Sequence, residues 1–169
     1  MIREQVLLEY DEEGGDYMVY NLGQIYNSCV VQCRPNKQRL FFIGGQYFNS
    51  QLPTNKVLEA NLDSTSSDYQ VVVERQPLPK PRTKHSAVCI RNFILVVGGS
   101  QNEKDTLAYD LTTDQWKNLP KMPYPSSRPV LVTIANRFVY NFESDGRICM
   151  LDFGKLSLGW QEFALNKQP

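Results

Sequence analysis

The chain of 169 residues balances 18 Lys and Arg against 18 Asp and Glu, and contains one His and four Cys. That length suits one domain able to bury about two-thirds of its unfolded surface, and the zero net charge excludes the basic footprint of a nucleic-acid binder. No apolar run approaches the ~20 residues of a membrane span, the acidic start at Glu4 argues against a secretory leader, and four Cys without paired spacing are expected as reduced thiols in a cytoplasmic protein.

Taken from the N-terminus, Gln5 to Tyr10 is expected as a strand, with Asp11-Glu12-Glu13-Gly14-Gly15 as its hairpin turn. Asp16-Tyr17-Met18-Val19-Tyr20-Asn21-Leu22 then reads without a gap against Asp105-Thr106-Leu107-Ala108-Tyr109-Asp110-Leu111, the first sign of a repeat. Ser28 to Cys33 is strand-like. After a turn at Arg34-Pro35-Asn36-Lys37 comes Leu40-Phe41-Phe42-Ile43-Gly44-Gly45, a short apolar run ended by a glycine pair. Val57 to Leu62 and Tyr69 to Val73 follow as third and fourth strands, closed by Leu78-Pro79.

The next copy has the same order. His85 to Ile90 and the turn Arg91-Asn92 lead into Phe93-Ile94-Leu95-Val96-Val97-Gly98-Gly99, whose glycines lie 54 residues beyond the first pair. Thr106 to Leu111 alternates as a half-buried strand should, Trp116 stands six residues after Asp110, and Leu119-Pro120 and Met122-Pro123 close the copy. A third copy is degenerate: Val130 to Ile134, the turn Ala135-Asn136, Phe138 to Tyr140, then Phe142-Glu143 where the glycine pair is expected. Ile148 to Asp152 supplies its third strand and Trp160 the aromatic of its fourth. No segment sustains a helical apolar period, so the chain is expected to be all-β.

This pattern resembles the kelch-repeat β-propeller family: a diglycine after the second strand, a Tyr-Asp/Asn-Leu third strand, an aromatic in the fourth and a Pro-rich link. The resemblance implies four-stranded antiparallel blades in an incomplete or open ring. Residues 1–27 would form a partial blade, 28–79 a blade, 80–123 a blade, 124–165 a degenerate blade, and 166–169 a tail. A blade cannot bury both faces alone, so blades stack around an axis. Gly44, Gly45, Gly98 and Gly99 would permit turns that a Cβ obstructs. Tyr109, Trp116 and Trp160 would supply rigid area between blades. Three blades and a fraction fall short of the roughly 4–8 that close a ring, so an exposed blade face is expected at the ends.

Candidate sites are few. Cys29 and Cys33, and His85 and Cys89, sit four apart on first strands of adjacent blades, but residues four apart on a strand are about 13 Å apart, too far to share one zinc ion. The thiols are therefore expected as small apolar core groups. Asp11, Glu12, Glu13 and Asp16 lack the alternation of a calcium loop and read as a solvated turn. The Pro-rich links recur at one repeat position, which makes them inter-blade connections. Gly-x-Ser-x-Gly, a phosphate loop, a dinucleotide fingerprint and His-Glu-x-x-His are all missing from the sequence. No catalytic, cofactor or metal residue is expected, nor a small-molecule, nucleic-acid or membrane partner.

In a meander blade, the loop entering strand one and the loop joining strands two and three emerge at one end. Arg82, Lys84 and Arg128 should thus share a face with Gln46 to Asn55 and Ser100 to Asp105. Related propellers commonly bind peptides on this face, and cations there would pair with carboxylates. The expected function is a non-catalytic protein–protein interaction scaffold that meets other chains or copies of itself. One alternative is the substrate-recognition part of a ubiquitin-ligase adaptor, although no adaptor segment is seen ahead of the repeats. Another is a fragment of a sugar-active propeller enzyme, for which one His and an incomplete ring supply poor material.

Overall fold

The computed structural model describes residues 6–10, 17–21, 25–33, 39–47, 49–61, 72–100 and 104–163. Strands β1 (Val6–Tyr10) and β2 (Tyr17–Asn21) pair antiparallel as the expected N-terminal hairpin, its turn lying outside the described residues. The short β3 (Ile25–Tyr26) leads into the first blade. That blade comprises β4 (Cys29–Cys33), β5 (Arg39–Ile43), β7 (Val57–Asn61) and β8 (Val72–Glu74), while the brief β6 (Gln46–Tyr47), between β5 and β7, pairs with β3 in a separate two-stranded sheet. Tyr69, expected in the fourth strand, lies outside the described residues.

The second blade is β9 (Ser86–Ile90), β10 (Phe93–Val97), β11 (Thr106–Asp110) and β12 (Gln115–Asn118). The third is β13 (Val130–Ile134), β14 (Phe138–Phe142), β15 (Ile148–Asp152) and β16 (Trp160–Phe163). Each is an antiparallel meander in sequence order. A single 3₁₀ turn, Leu156–Leu158, is the one helical element among the described residues.

Packing explains why β10 is apolar without alternation. Ile94 and Val96 face the first blade, where Phe41, Ile43 and Val57 meet them beside Leu107 and Tyr109. Leu95 and Val97 face the third blade with Ala108, against Val139, Cys149, Leu151 and Trp160. A strand covered on both faces reads as a continuous hydrophobic run. The three blades therefore stack in chain order, the second between the other two.

The Asp of the third-strand motif builds the turn into the fourth strand. Asp110 Oδ1 accepts the Thr112 N–H at 3.0 Å, and Asp152 Oδ1 accepts the Gly154 N–H at 2.8 Å, both Asx-type turns. Arg137 holds Asp152 with two bonds, at 2.9 and 2.7 Å, and this pairing, reinforced by Gly154, keeps the carboxyl low at about 2.

The cysteines correct the sequence reading. Cys33 and Cys89 form a disulfide between β4 and β9, with their Cα atoms 5.4 Å apart. Adjacent first strands were expected as neighbours; at this level their sulfurs come into bonding reach. Cys29 and Cys149 remain thiols, and burial pushes both upward.

Candidate interaction face

The glycine pairs act between blades as well as within them. In each pair the first N–H closes its own hairpin: Gly44 donates to the Lys56 carbonyl at 2.8 Å and Gly98 to the Asp105 carbonyl at 3.0 Å. The second reaches the link entering the next blade: Gly45 donates to the Arg82 carbonyl at 2.9 Å and Gly99 to the Ser126 carbonyl at 3.0 Å. All four glycines have positive φ, and that link leaves no room for a side chain. A Cβ on Gly44 would stand 2.7 Å from the Arg82 oxygen, one on Gly99 would stand 2.7 Å from the Thr83 oxygen, and one on Gly98 would overlap the Ser126 oxygen.

These latches bring the loops of one blade end together as expected. The Arg82 N–H donates to the Thr54 carbonyl at 3.2 Å, and Ser100 donates to the Thr83 carbonyl at 2.8 Å. Arg128 donates its N–H to the Lys84 carbonyl at 2.7 Å, so the inlets of the second and third blades are bonded to each other. Lys84 (φ +57) and Arg128 (φ +80) both take the left-handed conformation, and so does Asn27 (φ +56) at the matching place before β4. One inlet geometry is thus built three times, although only Gly and Asn adopt it readily.

The three basic residues singled out from sequence part company here. Lys84 and Arg128 are exposed and have no ion-pair partner among the described residues. Arg82 is turned inward and is 1 % exposed. Its Nη1 donates to the Gly98 carbonyl at 3.0 Å, tying the link to the latch, while its Nε has no partner. Burial lowers its pKa, and nearby Asp105 works against that shift. The expectation that Arg82 contacts a partner is therefore corrected: the link that carries it is clamped between blades, leaving no surface to offer. A cleft of about 390 Å³ beside it is lined by Lys80, Asp105 and Lys121 among others. His85 is buried between the two glycine pairs. Desolvation, with help from Arg82, holds its imidazole down to about 4.

The aromatic residues sit at the blade contacts. Tyr109 packs 6.3 Å edge-on from Phe41 and 5.0 Å from Trp116, whose indole N–H donates to the Gln76 carbonyl in the link from the first blade at 2.9 Å. Trp160 donates to Thr106 Oγ1 across the second interface at 3.0 Å. No group of three or more His, Cys, Asp or Glu able to hold a metal occurs among the described residues, and no described helix is long and apolar enough to cross a membrane.

Two features escaped the sequence. The Cys33–Cys89 pair is one, since spacing along a strand says nothing of height between strands. The other is the place of the missing diglycine in the third blade. Residues 143 and 144, not 142 and 143, occupy the positions of Gly98 and Gly99, because the β13–β14 loop has one residue more than the β9–β10 loop.

Comparison with known proteins agrees with this build. Residues 81–123 match the family model for the Kelch motif. The chain is 30 % identical over 110 residues to Kelch repeat and BTB domain-containing protein 2 of ectromelia virus (strain Moscow), covering 63 % of this chain and 18 % of that protein. It is 27 % identical over 134 residues to Kelch-like protein 40b of Danio rerio, covering 73 % of this chain and 21 % of that one. The chain thus spans about a fifth of the length of these relatives. The motif at 81–123 thus has a blade of the same build on either side, and over these stretches the chain is similar to kelch-repeat proteins.

Proposed function

We propose that the chain is a non-catalytic protein-interaction scaffold whose bonded inlet loops present Lys84 and Arg128 to acidic side chains of a partner protein. The observation that carries this reading is the 2.7 Å bond between the two inlets, with both cations exposed and unpaired among the described residues. Fixing both backbones in advance reduces the ordering cost of binding, and two adjacent cations suit carboxylates. The kelch-repeat build of the relatives supports an interaction role.

The test compares affinity capture by the wild type with capture by the Lys84→Glu/Arg128→Glu double variant, followed by titration of the captured protein. The expected result is a loss of about tenfold or more in affinity, larger at low salt. Equal affinity of the two proteins for every captured partner refutes the reading. A second reading, substrate recognition within a ubiquitin-ligase adaptor, draws on the BTB domain named in the viral relatives. Its test is ubiquitin transfer onto the captured partner, and absence of transfer removes it.

A further inference from the structure

Blades meet twice in this chain, and the two contacts differ at one place. Gly45 donates to the Arg82 carbonyl and Gly99 to the Ser126 carbonyl, so Arg82 corresponds to Ser126 and Lys80 to Tyr124. On the facing blades, Gly98 donates to the Asp105 carbonyl and Glu143 to the Arg147 carbonyl, so Asp105 corresponds to Arg147. Between the second and third blades these positions fill the space. Tyr124 is buried, and the Arg147 guanidinium lies 4.0 Å from the centre of its ring. Between the first and second blades an exposed Lys80 and the shorter Asp105 stand there instead. A cleft of about 390 Å³ opens at this point, between the link at Pro79 to Arg82 and the second blade's Leu107, Asn118 and Lys121.

The wall of the cleft carries three cations against one carboxylate, an excess of two positive charges. Lys80 has no ion-pair partner among the described residues. Lys121 meets Asp105 only at 3.5 Å with its side chain 73 % exposed, a contact that contributes little in water. Arg82 is the buried member. Its Nη1 donates to the neutral Gly98 carbonyl and its Nε has no partner. A guanidinium withdrawn from water is costly unless an opposite charge comes near. The nearby Asp105 is shared with Lys121, so the cleft lacks an anion.

We propose that this cleft binds a small phosphate monoester, with Lys80 and Lys121 meeting the phosphate and Arg82 adding its charge from the buried wall. The site departs from the expectation that the chain has no small-molecule ligand. A phosphate monoester carries close to two negative charges near neutral pH and so balances the excess, whereas a single carboxylate balances half of it. The Asn118 amide adds a neutral donor, and Pro79 and Leu107 offer apolar wall to the organic part. The volume falls within the roughly 300–1,000 Å³ of small-molecule sites. Lys84 and Arg128 take no part, so this proposal and the interaction face stand or fall separately.

The experiment is isothermal titration calorimetry of the full chain with glycerol 3-phosphate at low salt and pH 8, where the ester is a dianion. One saturable site is expected. Lys80→Gln/Lys121→Gln, which changes two exposed side chains, should weaken it about tenfold or more while circular dichroism stays unchanged. Asp105→Asn, which removes the one repelling charge, should tighten binding, a gain that loss of folding cannot imitate. Lys84→Glu/Arg128→Glu should leave the affinity as it is. Absence of saturable binding at millimolar ester overturns the proposal, as does an affinity indifferent to both the lysine and the Asp105 substitutions. A phosphoserine pentapeptide that binds where the free ester does not would move the phosphate onto a partner chain and overturn the small-molecule reading.

Discussion

Removing the Cys33–Cys89 bridge should separate what the blades hold by packing from what the cross-link holds. The two cysteines are 56 apart in sequence and join the first strands of the first and second blades. In the chain-entropy account, closing a loop of that length restricts the unfolded chain by about 4 kcal/mol at 25 °C. Typical domain stabilities are about 5–15 kcal/mol, so this loss is large. Urea unfolding of the wild type, followed with and without reductant, should therefore show a marked fall in midpoint on reduction. The slope should rise, because an uncrosslinked unfolded chain exposes more surface. Cys89→Ser should match the reduced wild type, and Cys29→Ser should respond to reductant as the wild type does. Under denaturing, non-reducing conditions the thiol count should be two, from Cys29 and Cys149. A count of four, or a midpoint that reductant does not move, refutes both the pairing and the stability argued from it.

Gly98→Ala should destabilise by about 2–4 kcal/mol in thermal or urea unfolding, combining left-handed strain with a Cβ driven into the Ser126 carbonyl. Gly146→Ala, equally left-handed but with open space around it, should cost only about 1 kcal/mol, and equal losses would sink the latch argument. Stability should also follow the single His. The folded pKa of His85, about 4, lies below the unfolded value near 6.5, so the unfolded chain takes up the proton first. The contribution is intact above about pH 6.5 and disappears as pH falls to about 4, a loss of about 3 kcal/mol. Urea midpoints between pH 7 and 4 should show this slope, and His85→Phe should flatten it if the ring still fits; an unchanged slope in a folded variant rules out His85 as the source.

The all-β reading follows from residues whose local role repeats: the apolar run Phe93–Val97, the Asp that builds the turn into the fourth strand of the second and third blades, and the aromatic after it. These are legible because a strand buried on both faces, and an Asx turn, leave a signature within a few residues. The reason for the glycine pairs is not local. Gly45 and Gly99 are selected by the carbonyls of Arg82 and Ser126, which only folding brings close. The same limit hid the disulfide: placing β4 beside β9 was within reach of the repeat pattern, but matching Cys33 to Cys89 requires the relative height of the two strands.

The third blade shows how the absence of the glycine pair changes what a blade can do. Its β13–β14 loop, residues 135–137, is one residue longer than the two-residue loop at Arg91-Asn92, which moves the latch position onto Glu143 and Ser144. With glycine absent there and the following turn shortened, the link-capturing geometry of the first two blades disappears. The inner face of the blade still packs fully, since Val139, Cys149, Leu151 and Trp160 meet the second blade. The outer face keeps the apolar residues of a blade that expects a neighbour: Val130, Val132, Ile134, Phe142 and Phe163. An apolar outer face is a hazard in solution unless something covers it.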